Sequence, residues 1–296
     1  MENNNTGSSD RLLKKLYEKY SGRLLLRIMI SPAVSKTTGW FLDRRISKIF
    51  IKRFAAKNGI DLSQSLKDSF TSFNDFFTRE LKSHLREPDM SAGSLISPCD
   101  SCLSAYTIEK DKTFRIKSSE YTIEELLGGD DISSLFDGGM LLVFRLRPAD
   151  YHRYIYFDGA DIESERHIQG TFHTVNPVVH DHYKVYASNT REYAVLKTDN
   201  FGTCVQMEVG AMLVGRIKNI KGRTRAERGE ERGYFEFGGS TVILLLQKDT
   251  AVLDEKIPLN STEELFVRRG EHIGKQNRVS CRPADLQPGE KVRKAN

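Results

Sequence analysis

Hydrophobic and polar positions follow two different periods along this chain, and the change falls near residue 94. Before it the spacing is helical. Leu12, Leu13, Leu16, Tyr17 and Tyr20 recur every three or four residues among Lys14, Lys15, Lys19 and Arg23, which predicts a basic amphipathic helix. Leu24–Ile30 continues the apolar character, and Ser31-Pro32 marks a break, because the residue before a proline is pushed away from helical angles. A second stretch sets Leu42, Ile46, Ile49, Phe50 and Phe54 on one side, with Arg44, Arg45, Lys48, Lys52 and Arg53 around them and Trp40-Phe41 at its start. A short helix is expected over Ser72–Lys82, capped by Ser72, with Asp75 at its third position standing in for the usual glutamate.

After residue 94, short apolar or alternating runs are separated by Gly, Pro, Asn and Asp. Leu141–Leu146, Tyr154–Phe157, Tyr193–Lys197, Thr203–Val209, Met212–Ile217, Tyr234–Phe237 and Thr241–Gln247 all read as strands. One helix is expected near Thr122–Leu127. The pattern therefore gives N-terminal helices followed by a β-rich body, with no fixed-period repeat.

Composition changes this picture little, because 39% apolar and 29% charged residues are ordinary for a globular chain of 296 residues. Charge placement adds more. Residues 1–60 hold 13 Lys/Arg against 4 Asp/Glu, while the whole chain is only +5, so the rest is net acidic. A basic, aromatic, amphipathic segment suits an anionic bilayer interface. The same pattern also suits a helix packed on the protein's own core. No nucleic-acid reader motif accompanies it. The longest apolar runs, Met140–Phe144 and Val242–Leu246, fall far short of the roughly 20 residues of a spanning helix. No secretory leader is visible in the polar opening MENNNTGSSD. Cys99 and Cys102 have C-x-x-C spacing, but Cys204 and Cys281 form no second pair, which reads as a reduced intracellular protein without a zinc site. His180-Asp181-His182 lacks a placed third ligand, so no metal is expected. His84, His167 and His272 read as structural or solvated.

The candidate chemistry centres on Gly238-Gly239-Ser240-Thr241, set before the apolar run Val242–Leu246. By itself the string also fits a hairpin turn. Five other segments accompany it in order: Phe73-Asn74-Asp75-Phe76-Phe77-Thr78-Arg79-Glu80-Leu81-Lys82, Ser97-Pro98-Cys99-Asp100, Arg147-Pro148-Ala149-Asp150-Tyr151-His152-Arg153, Val209-Gly210-Ala211-Met212-Leu213-Val214-Gly215-Arg216-Ile217 and Val267-Arg268-Arg269-Gly270-Glu271-His272-Ile273-Gly274. Together they resemble the motifs of the phosphatidylserine decarboxylase family, over about residues 70–275.

The resemblance implies an α+β fold and a self-cleaving, pyruvoyl-dependent carboxy-lyase. Decarboxylating an amino acid needs an electron sink, which ordinary side chains do not supply. By the family's route, the Ser240 hydroxyl attacks the Gly239 carbonyl to give an ester. Elimination releases residues 1–239 and leaves dehydroalanine, and hydrolysis yields a pyruvoyl group and ammonia. The substrate amine then forms a Schiff base with that ketone, and carbon dioxide is lost. Asp100, His152 and Ser240 carry over as catalytic residues, with His152 as base for the weakly nucleophilic serine. Many family members have a second histidine where this chain has Ile155, so His173, in Gly170-Thr171-Phe172-His173, stays open as the alternative base. Ser101 stands where many members have glycine.

The resemblance further implies residues 1–69 as a membrane-docking segment and 70–296 as the catalytic domain, cut into chains 1–239 and 240–296 that stay associated. It implies phosphatidylserine in an anionic membrane as substrate, a peripheral location on the cytoplasmic face of the cell membrane, and no nucleic-acid partner. A homo-oligomer is compatible with the sequence. A pyruvoyl enzyme for a soluble amino acid, or a non-enzymatic membrane-binding relative, are the alternatives.

Overall fold

The computed structural model describes residues 31–277, apart from 110, 117–118, 130, 175–183 and 214–215. The helix expected around Leu12–Arg23, Cys281 and His180-Asp181-His182 lie outside the described residues.

Helix α1 (Pro32–Leu42) starts where the Ser31-Pro32 break is expected: Ser31 accepts from the Val34 N–H, and Pro32 occupies the first turn. A short 3-10 turn (Arg45–Lys48) leads into α2 (Ile49–Asn58), which Gly59 ends in a left-handed conformation. Helix α3 (Phe73–Phe77) is shorter than the expected Ser72–Lys82. Ser72 does cap it by accepting from the Asp75 N–H, but the Asp75 carboxylate turns to Thr71 and Lys67. Beyond Thr78 the chain extends to bridge Leu81 with Ser65, which stops the helix. Helix α4 (Ile123–Leu127) has a full capping box between Thr122 and Glu125, and α5 spans Val185–Ser188.

The strands are β1 (Ser94–Ile96), β2 (Ser101–Thr107), β3 (Thr113–Ile116), β4 (Ser119–Thr122), β5 (Met140–Leu146), β6 (Arg153–Ile155), β7 (Ala160–Ile168), β8 (Arg191–Thr198), β9 (Gly202–Leu213), β10 (Ile217–Asn219), β11 (Arg225–Ala226), β12 (Glu231–Phe235), β13 (Gly238–Leu246), β14 (Ala251–Leu253), β15 (Leu265–Val267) and β16 (His272–Gln276). Eight form one antiparallel sheet in the order β11-β7-β8-β9-β13-β5-β2-β15. Smaller sheets β10-β12-β6 and β1-β16-β14 and the hairpin β3-β4 flank it. This mixed helix and sheet content agrees with the α+β expectation.

Side chains alternate across the central strands, so each strand feeds two cores. Ile243 and Leu245 of β13 join Val143, Met207 and Val209 against Ile123, Leu126 and Leu127 of α4. Val242, Leu244 and Leu246 join Leu142, Phe144, Tyr154 and Phe235 on the other face. Val242–Leu246 is thus buried on both faces, as its unbroken apolar run predicts. A third cluster, with Leu42, Ile51, Ala55, Phe73, Phe76 and Phe77, packs the helical segment onto the body, and Phe54 and Phe237 join its edge.

Candidate active site

Every motif of the resemblance that the structure describes comes to one end of the large sheet. The reason is topological: β2 and β13 begin at this end, whereas β5, β9 and β15 finish there. Ser240 of β13 pairs with Leu146 on one side and Gly210 on the other. One step along, Cys102 pairs with Arg145, which pairs with Thr241. Val267, the last residue of β15, pairs with Ser101. Asp100 therefore precedes β2, the Asp150–His152 turn follows β5, and Arg268-Arg269 follows β15, all at the level of Ser240.

The Gly238–Ser240 junction is not a hairpin turn. Strand β12 pairs with β6 and β10, in a different sheet from β13, and Gly238-Gly239 already lies within β13. Gly238 has φ 153°, which disfavours any side chain, and the register with β9 shifts between Gly238 and Ser240. The candidate scissile bond thus sits in the bulged start of a central strand. The chain just before it is tied down by Asn74, whose Oδ1 accepts from the Phe237 N–H at 3.4 Å while its Nδ2 donates to Asp43. Phe237 packs edge-on against Phe54, Phe73 and Phe77.

Ser240 is fully buried, and its Oγ has no hydrogen-bond partner among the described residues. A buried hydroxyl without a partner costs free energy, on the order of 1–3 kcal/mol. His152 shares this property. Its Nδ1–H donates to the Asp150 carbonyl at 2.9 Å, which leaves Nε2 as the unprotonated acceptor, buried and without a partner. Phe77 covers the ring at 4.2 Å between centroids. Burial pushes the His152 pKa down to about 3, helped by the charge of Arg79 and opposed by the Asp150 carbonyl, so the ring is neutral near pH 7.

Asp100 reaches the same end of the sheet, but its carboxylate is engaged elsewhere. Arg86 donates to both oxygens, at 2.6 Å and 2.8 Å in its shortest contacts, and the Arg269 N–H donates at 2.8 Å. No hydrogen bond joins Asp100, His152 and Ser240 to one another among the described residues. Asp150 is held by the Arg147 N–H and guanidinium, and burial raises its pKa. The position of Ile155 is apolar and buried, within the core beside Leu146 and Val242.

His173 lies on the other side of the scissile strand. Its backbone N–H donates to Asn189 Oδ1, and Asn189 Nδ2 donates to both the His173 and Gly210 carbonyls at 2.8 Å. Gly210 pairs with Ser240, so Asn189 ties the His173 segment to the strand beside the candidate scissile bond. Burial lowers the His173 pKa as well.

Sequence reasoning missed Arg86, Asn189 and the pair Glu208–Arg232. Val242 pairs with Glu208 and Ser240 with Gly210, so Glu208 is diagonal to Ser240 on the same face, about 7–8 Å away. Glu208 and Arg232 are fully buried and meet at 2.9 Å, with Asn219 Nδ2 donating to the second Glu208 oxygen. The alternation of Val205–Val209 hides Glu208 instead, because it reads with Gln206 as the solvated face of a half-buried strand, whereas both are buried. Cys99, Cys102 and Cys204 are free and buried, and no acidic, cysteine and histidine cluster able to hold a metal occurs among the described residues.

Comparison with known proteins gives the family. The family model for phosphatidylserine decarboxylase matches residues 73–275. The phosphatidylserine decarboxylase proenzyme 2 of Clostridium acetobutylicum is 42% identical over 268 residues, covering 90% of this chain and 92% of that protein. The phosphatidylserine decarboxylase proenzymes of Ruminiclostridium cellulolyticum and Clostridium tetani are 40% and 37% identical, covering 89% and 91% of this chain and 91% and 93% of theirs. The chain belongs to the phosphatidylserine decarboxylase family.

Proposed function

We propose that this chain is a phosphatidylserine decarboxylase that matures by cutting itself between Gly239 and Ser240, and that it works docked on an anionic membrane surface. The observation that carries the reading is two buried atoms at one sheet end without hydrogen-bond partners among the described residues: the Ser240 hydroxyl, which can give a proton, and His152 Nε2, which can only accept one.

In self-cleavage, His152 takes the Ser240 proton as Oγ attacks the Gly239 carbonyl. The imidazolium is costly in this apolar setting, but it forms together with an oxyanion, so the site as a whole stays neutral. The bulge at Gly238–Ser240 and the Asn74 contact to Phe237 hold the scissile bond in place, while Phe77 excludes water from the base. Asp100 acts as a positioning residue through Arg86 and the 268–269 turn. His173 is the alternative base, approaching by way of Asn189.

A pyruvoyl group at position 240 fits the site: the residue is buried, its side-chain oxygen has no competing bond, and the adjoining Gly239 adds no bulk. When formed, that group supplies the electron sink for loss of carbon dioxide. His152 then stands by to return a proton to the substrate. Residues 240–246 keep their pairing with β5 and β9, which holds chains 1–239 and 240–296 together after cleavage.

Docking rests on an inverted surface. Trp40, Ile46 and Ile49 are 58%, 63% and 70% exposed, with Phe41 and Phe50 also exposed, and Arg44, Arg45, Lys48, Lys52 and Arg53 rim them. Arg44 lies over the Trp40 ring at 4.4 Å. Apolar anchors among cations suit an anionic bilayer, which on the cytoplasmic face of a cell membrane means anionic headgroups within reach of Lys and Arg. No helix among the described residues is long and apolar enough to cross a membrane. The test is conversion of phosphatidylserine in vesicles: the purified chain should release carbon dioxide and phosphatidylethanolamine, and Ser240→Ala should release none. Turnover by Ser240→Ala would contradict the reading.

A further inference from the structure

Several arginines gather near Tyr151, and Arg153 among them is paired with Glu80 at 3.1 Å and Glu231 at 2.7 Å. Arg86 spends its fork on Asp100, and Arg147 pairs with Asp150 at 2.8 Å. Arg79, Arg268 and Arg269 reach the same corner, and none of them has a carboxylate within ion-pair distance among the described residues. Arg79 is the most demanding of the three. It is 7% exposed, its guanidinium lies over Phe76 at 5.1 Å, Nη1 reaches the Phe76 carbonyl at 3.4 Å, and Nε has no partner. Burial pushes its pKa down, with Tyr151 and Asp100 opposing, as expected of a cation short of counter-charge. Arg269 is pinned by its own N–H on Asp100, its guanidinium lies over Tyr151 at 5.2 Å, and its Nε is also buried without a partner. Arg268 lines, with His84, Arg86, Phe266 and the Arg-paired carboxylates of Asp100 and Asp150, an adjoining cavity of about 480 Å³.

A buried cation lacking an anion is costly, and Arg79 points to a negative ligand here. On the function proposed above, the ligand's headgroup brings two anions, a carboxylate and a phosphodiester. The carboxylate loses its charge as carbon dioxide leaves. A cation paired with it would stabilise the ground state more than the transition state and slow the reaction. The phosphodiester keeps its charge throughout, and the arginine fork matches its oxygens. We propose that Arg79 and Arg269, with Arg268 at the mouth, form the subsite that holds the phosphodiester of the lipid headgroup, leaving the scissile carboxylate free of cations. This rests on the decarboxylase reading.

The test compares kcat/KM of the processed enzyme for a short-chain phosphatidylserine and for a serine O-alkyl ether of similar chain length without phosphate. In Arg269→Gln and Arg79→Gln the ratio of the two values should fall roughly 10- to 100-fold, chiefly through KM, as for loss of a charge-assisted hydrogen bond. Arg79→Lys should recover part of it. Competitive inhibition by sn-glycerol 3-phosphate should weaken in the same variants. Equal losses on both substrates, or no loss, would overturn the subsite. Fragment masses separate this from the parent reading. If the wild type is not cut, the decarboxylase reading fails; if wild type and variants are cut alike and the ratio is unchanged, the subsite alone fails. Arg269 is only partly buried, so Arg269→Gln carries the test by itself should Arg79→Gln not accumulate.

Discussion

The sheet end around Ser240 and the helical segment 32–58 break the ordinary rule of burial in opposite directions. At the sheet end, polar atoms are buried without partners: Ser240 Oγ, His152 Nε2 and Arg79 Nε all lie inside. In the helical segment, Trp40, Ile46, Ile49 and Phe50 stand in solvent while small Ala55 and Ser47 are buried. Neither inversion helps the isolated chain fold. Buried polar groups cost free energy, and a run of exposed apolar side chains leaves burial unused. Each fits the partner proposed for it: a proton transfer and a headgroup in one place, a bilayer in the other. The aromatic cluster of Phe54, Phe73, Phe77 and Phe237 joins the two regions, since Phe77 touches His152 and Phe54 belongs to α2.

The comparison can be broken first at the base. His152→Asn should slow self-cleavage by roughly 10²- to 10⁴-fold, followed as the fraction of cut chain over time. Undiminished cleavage would pass the role to His173. The same substitution should change acid stability. The native His152 pKa, about 3, lies below its unfolded value of about 6.5, so the unfolded chain binds the extra proton between them. The protein therefore has this stability in full above pH 6.5 and loses it as pH falls toward 3, by a few kcal/mol. Denaturant titrations across that window should show a shallower slope for His152→Asn.

Next comes the buried pair beneath the site. Glu208→Gln removes the nearer of the two carboxylates on buried Arg232, leaving Glu165 at 3.3 Å, and should cost roughly 3–5 kcal/mol in denaturant unfolding. A loss under 1 kcal/mol would mean that water or Glu165 satisfies Arg232 without Glu208. The smallest effect belongs to the exposed anchors. Ile49→Asp should change stability by no more than about 0.5 kcal/mol, yet weaken binding to anionic vesicles roughly tenfold. Equal vesicle binding would remove α2 from the docking surface.

Much of this was legible in the sequence. The unbroken apolar run Val242–Leu246 announced a strand buried on both faces, Ser72 marked one helix start, and the helix expected near Thr122–Leu127 is present over Ile123–Leu127. The ordered motifs pointed to residues that the sheet topology then gathered at one end. The proposed docking face was less legible. Leu42, Ile46, Ile49, Phe50 and Phe54 read as one stripe, but the chain turns at Asp43-Arg44, and the 3-10 turn that follows resets the helical phase. Leu42 and Phe54 consequently face the body, and Ile46, Ile49 and Phe50 face out. The Arg86–Asp100 and Asn189–Gly210 contacts were out of reach for another reason: they depend on which strand ends meet, and no local period encodes that.

The central claim is that the chain cuts itself at Gly239–Ser240, and intact mass under denaturing conditions tests it most directly. Two species are expected, residues 1–239 and residues 240–296, with the smaller one lacking a free N-terminal amine and Ser240→Ala giving one uncut chain. A single wild-type species at the full 33.7 kDa would contradict it.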